Sequence, residues 1–456
     1  VSEHTTSSVD RTQPPAPGAA STQPFPGFAA LKLRNGLPLY VVENHAQPYV
    51  SVHITARGGA SHDGSLAGLA ELSAGLMTSG TSTHDAQDLA DAIDLLGASL
   101  DAGAGRDETS VGLGVLTSFL DPALDLLADV TLRPTFPDEE VEREGRQAIA
   151  AIQQNMAEPG YPAGVRFRRE IYGAGPYGSP VDGTEQTLRA INRDACALFH
   201  HQHFNASNTF IVAAGDVTPQ GIADALDARL GEWEAGTTPA LEFSARRASE
   251  GLRVVVVDRP GAVQSALRIG CLAVERGHPD YLPLSVVATV LGGYFNSRIN
   301  ANLRERNGFT YGARAGLESL VMPGTFSVTT SVGTEVTDRA VEETLFELRQ
   351  IVEQPMPEEE LALVQNYITG SQALQTETPG QVASFVQTIA LHGLPHDYFQ
   401  HYPAMIHALD AQHLRNVAER YLRTEGMTVV VAGDARLVAP KLERFGAVEV
   451  VEAHEA

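Results

Sequence analysis

TFIVAAGDV at residues 209–217 and MTVVVAGDA at residues 427–435 are one pattern written twice. Each is an apolar run ending in Gly-Asp and reads as a strand. Outward from these strands the pairing continues. NGLPLYVVEN (35–44) matches EGLRVVVVDR (250–259), each a turn followed by a mostly apolar run that suits a buried strand. PTFPDEEVEREG (134–145) matches QPMPEEELALVQ (354–365). Both set Pro before three acidic residues and a helical pattern, as a helix start should, with the acids at the positive end of the helix dipole. Gly251 follows Gly36 by 215 positions, Pro357 follows Pro137 by 220, and Gly433 follows Gly215 by 218. Three matches in one order at a near-constant offset define a repeat of about half the chain.

The repeat predicts an α+β protein of two homologous domains. Each is expected to hold a mixed, mostly antiparallel sheet with helices packed on one face. Residues 1–27, rich in Ser, Thr, Pro and Gly, read as a flexible arm. The first domain then spans residues 28–231, a polar linker containing Pro239 spans 232–250, and the second domain spans 251–456.

Composition narrows the function classes. The chain has 456 residues, too many for one ordinary core. Its 32 basic and 56 acidic residues give a formal charge of −24, which argues against nucleic acid or an anionic membrane as the main partner. No apolar run approaches the length of a membrane span. The two cysteines, Cys196 and Cys271, fall in different halves and give no disulfide framework. The chain begins at Val1 rather than Met. With the arm that follows, this leads us to expect a processed leader and an exported protein, in a bacterial periplasm.

The two halves, together with YGAGPYGSPVDGTEQTL at 172–188 and LGGYFNSRINANLRERNGFTYGA at 291–313, resemble the pitrilysin-type zinc peptidases. That family includes insulin-degrading enzyme and mitochondrial processing peptidase. The resemblance covers about residues 28–450 and implies a processing-peptidase-like half of a clam that closes around a peptide. Active members carry H-x-x-E-H on a helix, with two His as zinc ligands and the Glu as general base; a further Glu about 75 residues on is the third ligand. Here the matching stretch is GLAELSAGLMTSGT, residues 68–81. Glu71 stands at the first His, Ala74 at the base and Gly75 at the second His. In the helix expected from Pro137, Glu144 is present, but Ala151 stands at the distal ligand, 76 positions after Gly75. The register holds while all four positions are lost. No H-x-x-E-H or H-E-x-x-H occurs elsewhere. We therefore expect no metal in this chain, and zinc in a partner.

The resemblance also implies what remains. Active members place an Arg and a Tyr, seven residues apart, in the second half, reaching the substrate at the zinc. Arg304 and Tyr311 have that spacing. Phe295, Ile299 and Leu303 form a helical stripe, Asn307-Gly308 signals a turn, and Thr310-Tyr311 is expected to begin a strand. Arg304 and Tyr311 then converge as donors to the substrate carbonyl and backbone, acting in trans on substrate at the partner's zinc. Gly292 and Gly293 would let backbone approach a ligand closely. Arg298 and Arg306 are weaker contributors, with Arg306 facing solvent.

Elsewhere, His200, His201 and His203 cluster before the strand at Thr209. They read as an amphipathic helix end, with a second metal site as the other reading. His62 and His84 are expected in solvated loops. The leading function is a non-catalytic subunit of a heterodimeric zinc metallopeptidase, partnered by a homologous zinc-bearing subunit and acting on peptide or unfolded protein. The alternatives are a structural, core-protein-like subunit and a peptide-binding or chaperone module.

Overall fold

The computed structural model describes residues 24–243, 245 and 251–453. It holds two six-stranded sheets. The first contains β1 (Ala29–Lys32), β2 (Pro38–Glu43), β3 (Tyr49–Arg57), β4 (Ser99–Ala104), β5 (Glu108–Leu116) and β6 (Thr209–Gly215), in the order β1-β2-β6-β3-β5-β4. The second contains β7 (Arg253–Asp258), β8 (Gln264–Leu272), β9 (Ala313–Leu317), β10 (Thr325–Gly333), β11 (Thr428–Gly433) and β12 (Val448–Glu452), in the order β12-β7-β11-β8-β10-β9. Five places in the two orders correspond. The sixth, an edge, is filled from opposite ends of the chain: β1 pairs antiparallel with β2, whereas β12 pairs parallel with β7. Both sheets are mixed and mostly antiparallel, as the repeat predicts.

The paired sequences TFIVAAG and TVVVAG become β6 and β11, buried at every residue. Each lies between a parallel and an antiparallel neighbour, and each is covered on both faces. This explains an apolar run without alternation. The matched acidic segments begin the helices Asp138–Ala157 and Glu358–Leu374, with Pro137 and Pro357 just ahead of the first turn.

Helices of each half cover one face of its own sheet, forming two separate cores. The other face is partly covered by a helix from the opposite half, an exchange that the one-faced expectation lacked. Helix Gly160–Tyr172 sets Ala163, Phe167 and Ile171 against Val255, Val257 and Val430 of the second sheet. Helix Pro379–His392 sets Val382, Val386 and Ile389 against Val42, Phe210 and Val212 of the first. Each such side chain contributes about 1.5–3 kcal/mol on burial, so the exchange joins the halves firmly. Arg168 pairs with Glu318, and Arg166 with Glu449 at 2.9 Å, across the same junction.

The expected segment boundaries shift in detail. Of the arm over 1–27, residues 1–23 lie outside the described residues. Phe25 does not extend as an arm: it is buried against Phe385 and Phe399, with ring centroids 5.7 and 5.6 Å away, because an aromatic ring gains from leaving water. In the linker, residues 244 and 246–250 lie outside the description. Its first part is tied to the first half, with Asn35 donating to the Trp233 carbonyl (3.0 Å) and the Ala206 N–H to that of Glu234 (3.0 Å). Cys196 and Cys271 are free and buried.

Candidate functional site

Arg304 and Tyr311 line one cleft of about 1030 Å³ over the second sheet, beside the start of helix Gly160–Tyr172. The helical segment that carries Arg304 begins at Arg298, not at Phe295, and widens over Ala301–Arg306 so that the Asn307 N–H reaches the Asn302 carbonyl at 3.1 Å. Ile299 and Leu303 are fully buried, but Phe295 is 71% exposed. Its ring leaves the expected stripe and lies under the Arg304 guanidinium, 3.5 Å from ring centroid to carbon. Arg304 Nε also donates to Glu305 at 2.7 Å. Arg298 makes a two-point ion pair with Glu360 (2.8 and 2.5 Å) that ties this segment to helix Glu358–Leu374. Arg306 is exposed, as expected.

Tyr311 does not begin a strand. β9 starts at Ala313, and Thr310–Gly312 is a loop held by side chains. Thr310 Oγ1 donates to the Gly312 carbonyl (2.9 Å) and accepts from the Gly312 N–H (3.1 Å), while Thr330 donates to the same carbonyl (3.0 Å). The loop presents Tyr311 fully exposed.

The residue that joins the two donors is Asn300, which sequence reasoning missed. Its Oδ1 accepts from the Ala313 N–H at 2.8 Å and its Nδ2 donates to the Ala313 carbonyl at 2.9 Å. One buried amide thus caps the outer edge of β9 and fixes the loop bearing Tyr311 to the segment bearing Arg304. Its helical neighbours Asn296, Ser297 and Arg304 are polar, so nothing in the sequence signals its burial. The two glycines differ from each other. Gly293 is exposed at the cleft, but Gly292 is buried, and a Cβ there would lie 2.3 Å from the Ala315 nitrogen. Both glycines line the cleft, and close packing of β9 by itself already requires glycine at 292.

The lost zinc positions come together in a second cleft of about 350 Å³, lined by Glu71, Gly75, Glu144 and Ala151. The helix Leu69–Leu76 is set by Asp63, whose carboxylate accepts from the Gly68 and Ala70 N–H groups (2.7 and 2.8 Å). Gly68 has φ of 93°, and a Cβ there would meet the Gly183 backbone at 3.0 Å, so the helix docks on the 172–188 segment. Glu71 Oε2 accepts from the Ala104 N–H at the end of β4 (2.8 Å), and Glu144 pairs with Arg143 (2.7 Å). Zinc does not fit this donor set: Ala74, Gly75 and Ala151 bring no side-chain donor, and both carboxylates already have partners. Among the described residues, no group of three or more His, Cys, Asp and Glu is placed to hold a metal ion.

The histidines form no such group. His200 Nε2 lies 2.9 Å from the Thr131 carbonyl, and His201 is exposed. His62 is not in a solvated loop. It is half-buried with its ring centroid 4.7 Å from that of His203, since the turn after β3 folds onto the helix Arg193–His203. Burial lowers the pKa of His62, and takes that of His203 down to about 4. His84 is also drawn into a network, 3.3 Å from Asp129, whose carboxylate two threonines and Arg133 hold down at about 2.

Comparison with known proteins adds to this geometry. Residues 39–181 match the family model Insulinase (Peptidase family M16), and residues 190–368 match Peptidase M16 inactive domain. A Mycobacterium bovis protein named as an uncharacterized zinc protease is 26% identical over 367 residues, 80% of this chain and 84% of its own. A Helicobacter pylori protein named non-peptidase homolog YmxG is 22% identical over 408 residues, 88% of this chain and 92% of its own. The crystal structure of a peptidase M16 inactive domain from Pseudomonas fluorescens shares the fold, with a TM-score of 0.83 at 23% identity, covering 89% of this chain and 98% of that one.

Proposed function

Because the chain belongs to peptidase family M16, the insulinase and pitrilysin family, we propose that it is the non-catalytic subunit of a two-subunit zinc peptidase. One observation carries this reading: the two clefts are unequal. The cleft of the first half has Glu71, Gly75 and Ala151 where ligands belong, with Ala74 buried on the same helix where the base belongs, while the cleft over the second sheet keeps Arg304 and an outward-facing Tyr311. The name of the Helicobacter pylori relative, a non-peptidase homolog, supports an inactive chain. That of the Mycobacterium bovis relative, a zinc protease, supports a peptidase setting.

In this reading a homologous partner supplies zinc, its ligands and the general base. This chain supplies half of the chamber and two donors. Attack on an amide builds negative charge on the carbonyl oxygen. Arg304 N–H and Tyr311 O–H donate to that oxygen or to the neighbouring backbone, each worth about 3 kcal/mol to the transition state. Tyr311 is fully exposed, so its hydroxyl is available to a group outside the chain. Arg304 holds one Glu305 oxygen through Nε and one terminal nitrogen, which leaves further N–H groups of its fork to donate to the substrate. The peptide adds as an extended strand, mainly in the partner. We place the pair in a bacterial periplasm.

The test is metal analysis and peptide hydrolysis by the purified chain, followed by capture of a homologous zinc-bearing protein from its source. The reading expects neither zinc nor hydrolysis alone, and hydrolysis when the captured partner is present. Stoichiometric zinc with turnover by the chain alone would overturn it.

A further inference from the structure

Across the floor of the cleft over the second sheet, three residues on adjacent strands lie in one row. Arg314 of β9 pairs with Thr329 of β10, and Thr329 pairs with Arg268 of β8. Strands lie about 4.8 Å apart, so the two arginines start roughly 10 Å apart, with a hydroxyl-bearing side chain between them. All three line the same cleft as Arg304 and Tyr311, and no Asp or Glu lines it. In a chain of 56 acidic and 32 basic residues, the charge of this cleft is opposite in sign to that of the whole.

The corresponding row of the first sheet shows what such a row does. There Asp101 of β4 pairs with Gly112 of β5, and Gly112 with His53 of β3. A Cβ on Gly112 would meet Asp101 Oδ2 and the His53 ring, each at 3.2 Å. The outer side chains therefore lean together over the middle strand, carboxylate to imidazole. The second sheet has cations at both ends and a threonine in the middle. Among the described residues, neither the Arg268 nor the Arg314 guanidinium makes an ion pair or hydrogen bond. Arg268 is half-buried, with its guanidinium 5.9 Å from the Phe167 ring centroid, and burial lowers its pKa. Glu318 acts on it through space, but the Glu318 carboxylate is engaged by Arg168 and by Thr325, whose hydroxyl donates to it at 2.8 Å. Two like charges facing across a strand, one of them partly desolvated, repel until an anion lies between them.

We infer that the row Arg314–Thr329–Arg268 receives a carboxylate of the bound peptide, so that this chain selects acidic peptides. The inference rests on the subunit reading above and gives its substrate class. The carboxylate comes from an Asp or Glu side chain or from the peptide's C-terminus.

Fluorescence anisotropy on the full chain tests it with three labelled peptides of one sequence: a capped peptide with central Glu, its Gln counterpart, and the Gln peptide with a free C-terminal carboxylate. The Glu peptide or the free-carboxylate peptide is expected to bind about tenfold tighter than the capped Gln peptide, the scale of one hydrogen bond to a charged group. Which of the two gains identifies the source. The preference should vanish in R268Q/R314Q and shrink in high salt. R314E, at an exposed edge position, keeps the test valid if Arg268 proves necessary for folding, and should likewise abolish the preference. Equal binding of all three peptides, or a preference that survives both R268Q/R314Q and R314E, overturns the inference and leaves the subunit reading standing. No binding of any peptide by the wild-type chain overturns the inference alone, because the subunit reading seats the peptide mainly in the partner.

Discussion

Asn300→Ala tests how the donor pair is held. Ala313, 3% exposed, begins the edge strand β9. Its N–H and carbonyl both bond to the Asn300 amide, at 2.8 and 2.9 Å, and the same Nδ2 donates to Ser297 Oγ at 2.9 Å. Alanine leaves both Ala313 groups without these partners. A buried polar group so orphaned costs about 1–3 kcal/mol, so the replacement should cost about 3 kcal/mol in local stability. That is roughly a hundredfold faster amide exchange by the opening of this segment. Hydrogen exchange followed by mass spectrometry over residues 308–317 reads it directly. Asn300→Asp, which retains an acceptor for the Ala313 N–H, should fall between wild type and alanine. Exchange within threefold of wild type in Asn300→Ala would refute the clamp and leave the Tyr311 loop to its own threonines.

Other substitutions probe neighbouring claims. Gly292→Ala should destabilise the second half by about 2 kcal/mol, because its Cβ meets the backbone of β9; thermal unfolding within about 0.5 kcal/mol of wild type would contradict this. Arg298→Ala leaves Glu360 without its two-point partner and should cost about 3 kcal/mol in urea unfolding, with Arg298→Lys recovering only part. The pH profile reports His203. Its folded pKa of about 4 lies below the ordinary 6.5, so the fold favours the neutral ring. That contribution is complete above pH 6.5 and is lost as pH falls from 6.5 toward 4, by at most about 3 kcal/mol. His203→Phe should flatten the urea midpoint between pH 6.5 and 4 relative to wild type, and an unchanged slope would remove His203 as the cause.

The repeat was legible because β6 and β11 sit at equivalent central positions, where burial on both faces forces an apolar run ending in Gly-Asp. The zinc positions were legible because the helix Leu69–Leu76 and the helix from Pro137 keep their spacing and do meet in one cleft. What sequence concealed was set by long-range contacts. Phe295 fits a helical stripe by spacing, but its ring is more useful under Arg304. Thr310 and Tyr311 have strand-like side chains, yet hydroxyl bonds from Thr310 and Thr330 hold them as a loop. Asn300 reads as a surface amide until β9 brings Ala313 to it. His62 reads as a loop residue until the turn after β3 packs it on His203. The exchange of helices between the sheets was hidden for the same reason: Phe167 and Val386 show an apolar face but not which sheet it covers.

The central claim is that this chain holds half of an active site, and turnover by the reconstituted pair tests it most directly. With the zinc-bearing partner at saturation, Tyr311→Phe and Arg304→Ala should each lower kcat by about a hundredfold, the cost of one lost oxyanion donor, while the partner's zinc content stays unchanged. Wild-type kcat in both variants, with the pair still assembled, would contradict the account.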